Sequence, residues 1–220
     1  MSAPAAATTA EPDRDCPLCP RLAAFRTANR EREPDWFNAP VPNFGADNAR
    51  LLIVGLAPGL KGANRTGRPF TGDFAGDLLY GTLIEFGFAT GRFEARPDDS
   101  LKLVDARIAN AVRCVPPENK PVPAEIRTCN RFLGATFAQM PTLSAIVALG
   151  RIAHDAVAIA LDLKRSRVPF AHGAKHPAGE RLTLFDSYHC SRYNTNTGVL
   201  TPEMFRAVFG SVRAHLDGLS

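Results

Sequence analysis

Short apolar runs alternate with helical stretches through the middle of this chain, and that alternation leaves few folds open. Residues 50–56 (R-L-L-I-V-G-L) are apolar almost without break and reach glycine, the mark of a strand buried on both faces. Residues 73–86 carry apolar side chains at helical spacing and stop at Gly87, a suitable C-cap. Further strands are expected at 108–112, 144–149 and 181–188, and further helices at 123–139, 151–161 and 202–216. Proline opens the first and the last of these helices, where its missing N–H costs nothing, and Thr201 is placed to cap the last. The order β-α-β-α-β-α-β-α predicts one α/β/α domain over 13–220, with a central, mostly parallel four-stranded sheet flanked by helices.

Residues 1–12 lack the basic start and continuous apolar stretch of a signal peptide and are expected to be a disordered tail. No apolar run reaches the roughly 18 residues of a membrane helix, so a cytoplasmic location with reduced thiols is expected. The net charge of +4 permits an anionic partner without demanding one.

In sheets of this kind ligands bind beyond the carboxyl ends of the strands. Three segments leave those ends, after Leu56, Val112 and Tyr188. The first reads G-L-A-P-G-L-K-G-A-N-R-T-G-R-P-F-T-G-D over 55–73. Its glycines allow tight turns and close backbone approach to a ligand. It is no P-loop, for no G-K-[ST] ends it. Phe70 stands in this polar stretch, where an aromatic suits a stacking surface better than open solvent. Asp73 opens the next helix, and helix capping alone would account for it. Asn110 lies in the second strand, either as a satisfied structural amide or as a reader of a ligand's edge. His189 follows the fourth strand.

Four of the five cysteines form an uneven set: Cys16-P-L-Cys19, then Cys114 and Cys129 with fourteen residues between them. Thiolates so spaced suit zinc or an iron–sulfur cluster that staples the N-terminal segment onto a later part of the fold. Cys190 stands apart and is expected to be a buried thiol. His172 and His176 (H-G-A-K-H-P) form a loop pair without further ligands, expected to be solvated or to face a nucleic acid.

Taken together, G-L-A-P-G (55–59), G-R-P-F-T-G-D (67–73), N-A-V-R-C-V-P-P (110–117), H-C-S-R-Y-N (189–194) and the four cysteines resemble the iron–sulfur uracil-DNA glycosylases, families 4 and 5 of their superfamily. The likeness runs from Cys16 to near the C-terminus. Family 4 carries a polar residue after the first glycine; Leu56 in that place makes this chain similar to family 5. An apolar Leu56 cannot position a water, and the resemblance makes Asp73, the nearest acid, the candidate for that task.

The resemblance implies a monofunctional base excision repair enzyme that flips uracil, hypoxanthine or xanthine out of DNA and leaves an abasic site. Phe70 would stack on the base, the backbone at Leu56 and Ala57 would meet its edge, and Asn110 would hydrogen-bond it. His189 would donate to a base carbonyl oxygen, and Asp73 would stabilise the cationic sugar and orient water. Lys61, Arg65, Arg68 and Arg192 are candidate phosphate contacts, with Tyr193 and Asn194 as duplex probes. A structural [4Fe–4S] cluster on Cys16, Cys19, Cys114 and Cys129, a monomeric state and use at the bacterial nucleoid are expected. A cluster-bearing module that binds damaged or single-stranded DNA without catalysis is the alternative.

Overall fold

Leu51–Gly55 (β2) forms the centre of the molecule, and all five of its residues are buried. The computed structural model describes residues 9–219. Ala106–Asn110 (β5) and Ala145–Leu149 (β6) lie on either side of β2, both parallel, so that Ile53 stands beside Ile108 and Val147. Thr183–Ser187 (β8) runs parallel beyond β6. These are the four expected strands. The sheet has six, because Phe44–Gly45 (β1) and Lys175–Pro177 (β7) close its edges antiparallel, in the order β1-β5-β2-β6-β8-β7. Edge strands of two and three residues are too short to leave an alternating pattern in the sequence. Ala89–Thr90 (β3) and Lys102–Leu103 (β4) pair separately.

The helices are Pro20–Arg32 (α1), Ala63–Thr66 (α2), Phe74–Glu85 (α3), Pro123–Ala138 (α4), Arg151–Ala160 (α5), Arg192–Asn196 (α6) and Pro202–Asp217 (α7). The pleat of β2 sorts its side chains between two cores. Leu51 and Ile53 pack with Leu79 and Leu83 of α3 and Phe205 and Phe209 of α7. Leu52 and Val54 pack with Leu133 of α4 and Ala153 and Val157 of α5. Each such burial is worth roughly 1.5–3 kcal/mol, so packing on both faces holds β2 in place. No helix among the described residues is long and apolar enough to cross a membrane.

α1 has no counterpart among the expected elements. It buries Leu22, Arg26 and Asn29, so it lacks the apolar stripe by which a helix is read from sequence. The expected 1–12 tail also needs correction: residues 1–8 lie outside the described residues and Thr9 is exposed, but residues 10–12 join the fold. Ala10 is buried, and its carbonyl accepts from Arg113 at 3.1 Å. The Glu11 carboxylate accepts from the Asn43 amide and from Arg113. The buried Arg113 guanidinium needs these oxygens, and that draws the segment in.

Candidate active site

The loops leaving β2, β5 and β8 meet around an open cleft of about 660 Å³, lined by Leu56, Ala57, Phe70, Asp73, Asn110 and His189 among others. Gly55, the last residue of β2, stands in register with Asn110. A Cβ on Gly55 would come 2.6 Å from Asn110 Oδ1 and 2.7 Å from Phe70 Cζ. Glycine there is what lets the amide and the ring share the cleft floor. Leu56 is fixed from the neighbouring strand end, its carbonyl accepting the Val112 amide at 3.0 Å.

Phe70 adopts a left-handed backbone at φ 52°, a strained state for a non-glycine residue that surrounding structure must impose. The buried Tyr80 hydroxyl donates to the Pro69 carbonyl at 2.6 Å, and the Phe70 carbonyl lies hard against Gly76, where any Cβ would overlap it. The Phe70 and His189 rings stack with centroids 6.0 Å apart and 29° between planes.

Arg68 belongs to this scaffold, which corrects its expected role at DNA phosphates. It is buried, pairs both nitrogens with Asp99 at 2.8 and 2.7 Å, and lies over the rings of Phe44, Tyr80 and Phe93. That pairing holds the Asp99 carboxyl well below the usual carboxylate range. Sequence shows that a residue is basic but not which way it faces.

Asp73 occupies the N-cap position of α3, and the Ala75 and Gly76 amides lie near its carboxylate, yet its side chain closes no capping bond of full geometry. It turns instead into the cleft, where Oδ1 is buried without a hydrogen-bond partner among the described residues. Burial pushes its pKa above the ordinary value. Burial pushes His189 the other way, down to about 4, so its imidazole is neutral at neutral pH and carries one N–H to donate. Cys190 beside it is buried, as expected, with its thiol directed at the Ala75 carbonyl.

Lys61, Arg65 and Arg192 are exposed, with Arg192 held over the Phe74 ring at 5.3 Å, and Tyr193 is 74% exposed. Asn194 is not free to probe a duplex: its Nδ2 donates to the His189 carbonyl at 2.8 Å. Asn119 and Ser191, which also line the cleft, were not among the expected site residues. Asn119 follows a proline pair and stands at φ 57°, a turn signature that places it at the cleft only once β5 is known.

Cys16, Cys19, Cys114 and Cys129 line one small cavity on the far side of the loop after β5. Arg26 Nη1 lies 3.6 Å from Cys114 Sγ, and the Arg113 amide donates to Cys129 Sγ at 3.3 Å. Burial raises the Cys114 thiol to about 11 and the Cys129 thiol to about 12. Ala57 and Val112 pack against these cysteines, so the cavity backs directly onto the cleft wall.

The histidine pair needs a third correction. His176 is buried and reaches Asp186 at 3.2 Å, and Asp186 also pairs with His154 at 2.7 Å. His172 Nδ1 accepts the Tyr188 amide at 3.1 Å. His176 is closed off from solvent, while His172 stays partly exposed.

The family model of the uracil DNA glycosylase superfamily matches residues 42–213. A type-5 uracil-DNA glycosylase of Thermus thermophilus is 48% identical over 199 residues, covering 88% of this chain and 90% of the relative. One from Pyrobaculum aerophilum is 37% identical over 199 residues, 88% and 86% of the two chains. A type-4 enzyme of Archaeoglobus fulgidus is more distant, 29% identical over 153 residues, 68% and 69% of the two chains. With its strand-end cleft and a match spanning most of its length, the chain belongs to the uracil-DNA glycosylase superfamily, in the type-5 branch.

Proposed function

We propose that this chain is a monofunctional DNA glycosylase that excises uracil, and with it hypoxanthine and xanthine, from DNA and leaves an abasic site. One observation carries the reading. A strained aromatic shelf, a strand-end amide, a neutral imidazole and a buried carboxylate oxygen without a partner all line one cleft.

An extruded base lies on Phe70, with its edge against Asn110 and the backbone at Leu56 and Ala57. As the glycosidic bond breaks, its electron pair goes onto the base. The His189 N–H donates to the carbonyl oxygen where that charge gathers, an effect worth roughly 3–4 kcal/mol for one preset donor. The Asp73 carboxylate stabilises the cationic sugar and orients the water that attacks it, taking the proton that water releases. A raised pKa suits that proton transfer. Leu56 adds no polar group for a wrong base to leave unpaired, which favours a broad range of bases.

A lyase would need a desolvated amine to form a Schiff base. Lys61 is exposed, which favours hydrolysis alone. With Arg65 and Arg192 it supplies exposed positive charge for DNA phosphates, and Tyr193 is placed to meet the duplex.

A [4Fe–4S] cluster on Cys16, Cys19, Cys114 and Cys129 completes the reading. Four-cysteine zinc sites often use two C-x-x-C pairs, and here only Cys16 and Cys19 form one, which favours the cluster. The N–H donors on Cys114 and Cys129 suit sulfurs that carry negative charge. Bound, the cluster supplies a cross-link between α1, the segment after β5 and α4, bracing Val112 and Ala57 behind the cleft.

A fluorescent duplex with one uracil, treated with the protein and then with alkali, tests the activity. A strand break at the uracil is expected, and intact strands with uracil, hypoxanthine and xanthine substrates would overturn it. Iron analysis tests the cluster: a colourless protein holding zinc and no iron would reject it.

A further inference from the structure

Beyond the end of the sheet, the segment bearing His189 is held by side chains instead of strands. β8 keeps β6 as a partner only to Ser187, opposite Leu149. Gly150, at φ 93°, then turns away into α5 after a last bond from its amide to the Ser187 carbonyl at 2.8 Å. On the other side β7 pairs no further along β8 than Phe185. The turn before β7 takes over: the Gly173 amide donates to the Asp186 carbonyl at 2.9 Å, and the Asp186 amide to the Ala174 carbonyl at 3.0 Å. The ladder is then exhausted. The Tyr188 N–H, the last backbone donor before His189, goes to Nδ1 of His172 at 3.1 Å. The two rings pack with centroids 5.0 Å apart. On the far side, Asn194 Nδ2 holds the His189 carbonyl at 2.8 Å.

The turn bearing His172 is anchored in its own right. Asp186 is fully buried and takes hydrogen bonds from His154 at 2.7 Å, His176 at 3.2 Å and the Ala171 amide at 3.4 Å. The second ring nitrogen of His154 donates to the Val168 carbonyl at 2.8 Å. Both nitrogens of His154 thus meet oxygen atoms, one on the Asp186 carboxylate and one on a backbone carbonyl. This cluster pins residues 168–176 to α5 and β8, and so fixes where His172 stands.

We propose that His172 is a positioning residue for His189: its Nδ1 lone pair stands in for the absent strand and aims the imidazole into the cleft, while Asn194 closes the same clamp from the carbonyl side. The proposal rests on the reading of His189 as the donor to the base. A clamp that slackens by about 1 Å costs up to about a hundredfold in rate, without touching any DNA contact.

The test uses the full chain in single-turnover excision of uracil from a duplex across enzyme concentrations. This yields a maximal rate and a half-saturating concentration. The variants are His172→Ala, His172→Asn, Asn194→Ala and, as reference, His189→Ala; thermal melting accompanies each. The asparagine oxygen falls near the position of Nδ1 and can accept the same bond. His172→Ala and Asn194→Ala should each lower the maximal rate by about ten- to a hundredfold, with half-saturation within about twofold. His172→Asn should recover the rate to within about threefold of wild type. A full rate for His172→Ala beside a slow His189→Ala would overturn the proposal and leave the reading of the site standing. His172→Asn as slow as His172→Ala, or a slow rate matched by a lower melting temperature and weaker half-saturation, would also overturn it. A wild-type rate for His189→Ala would overturn the reading itself.

Discussion

Gly62 separates a carboxylate that merely occupies the cleft from one whose placement the reaction requires. A Cβ at Gly62 would overlap Asp73 Oδ2 and stand 3.0 Å from its Cγ and 3.1 Å from its Cβ. The whole side chain is in the way, and aspartate is too short to bend aside. Restoring ordinary contact moves the carboxylate by about 1 Å, which costs on the order of a hundredfold in rate, or about 2.7 kcal/mol at 1.36 kcal/mol per decade. Gly59 supplies the control, for its Cβ would meet only Oδ2, at 3.2 Å, a contact relieved by a few tenths of an ångström. Gly62→Ala should therefore slow single-turnover uracil excision about a hundredfold while Gly59→Ala stays within about threefold. Both should bind the uracil duplex as wild type does. Equal rates for the two variants, or an undiminished rate for Gly62→Ala, would refute the placement of Asp73 at the reacting centre.

The remaining predictions concern charge. The His189 pKa falls to about 4 in the folded chain, while the unfolded chain takes up a proton near pH 6.5. Below that pH the unfolded state binds more protons, so His189 costs stability as the pH falls from 7 to 4, by at most about 3 kcal/mol. Denaturant titrations should show His189→Gln losing less stability than wild type over that window, and matching slopes would refute the neutral imidazole. Arg68→Ala should destabilise the fold by about 3 kcal/mol, because it strands the buried Asp99 carboxylate, and should leave the salt dependence of DNA binding unchanged. Arg192→Ala should instead lower the slope of log affinity against log salt by about 1, with stability retained. If Arg68→Ala lowers that slope and Arg192→Ala does not, the two arginines have been assigned the wrong way round.

The central strands and the long helices were legible because burial on both faces writes a continuous apolar run and helix packing writes a period. The strand-end rule then led to Phe70, Asp73, Asn110 and His189, all of which line one cleft. What stayed illegible depended on long-range partners. Arg68 reads as a solvent-facing base until Asp99, thirty-one residues on, is seen to meet it. His176 reads as a loop histidine because its partner Asp186 comes from another strand and its ring neighbour His154 from a helix. Asn194 reads as a surface amide until the turn brings it to the His189 carbonyl. α1 is held by Arg26 and Asn29 as well as Leu22, and polar burial leaves no periodic trace.

Product analysis of one turnover tests the account most directly. A uracil-containing duplex is mixed with excess protein, and free base, alkali-labile sites and untreated strand breaks are measured in the same sample. The account predicts free uracil in equal amount to alkali-labile sites, no strand break before alkali, and loss of both products in Asp73→Ala and His189→Ala. Strand breaks without alkali, or no uracil released by the wild-type protein, would contradict it.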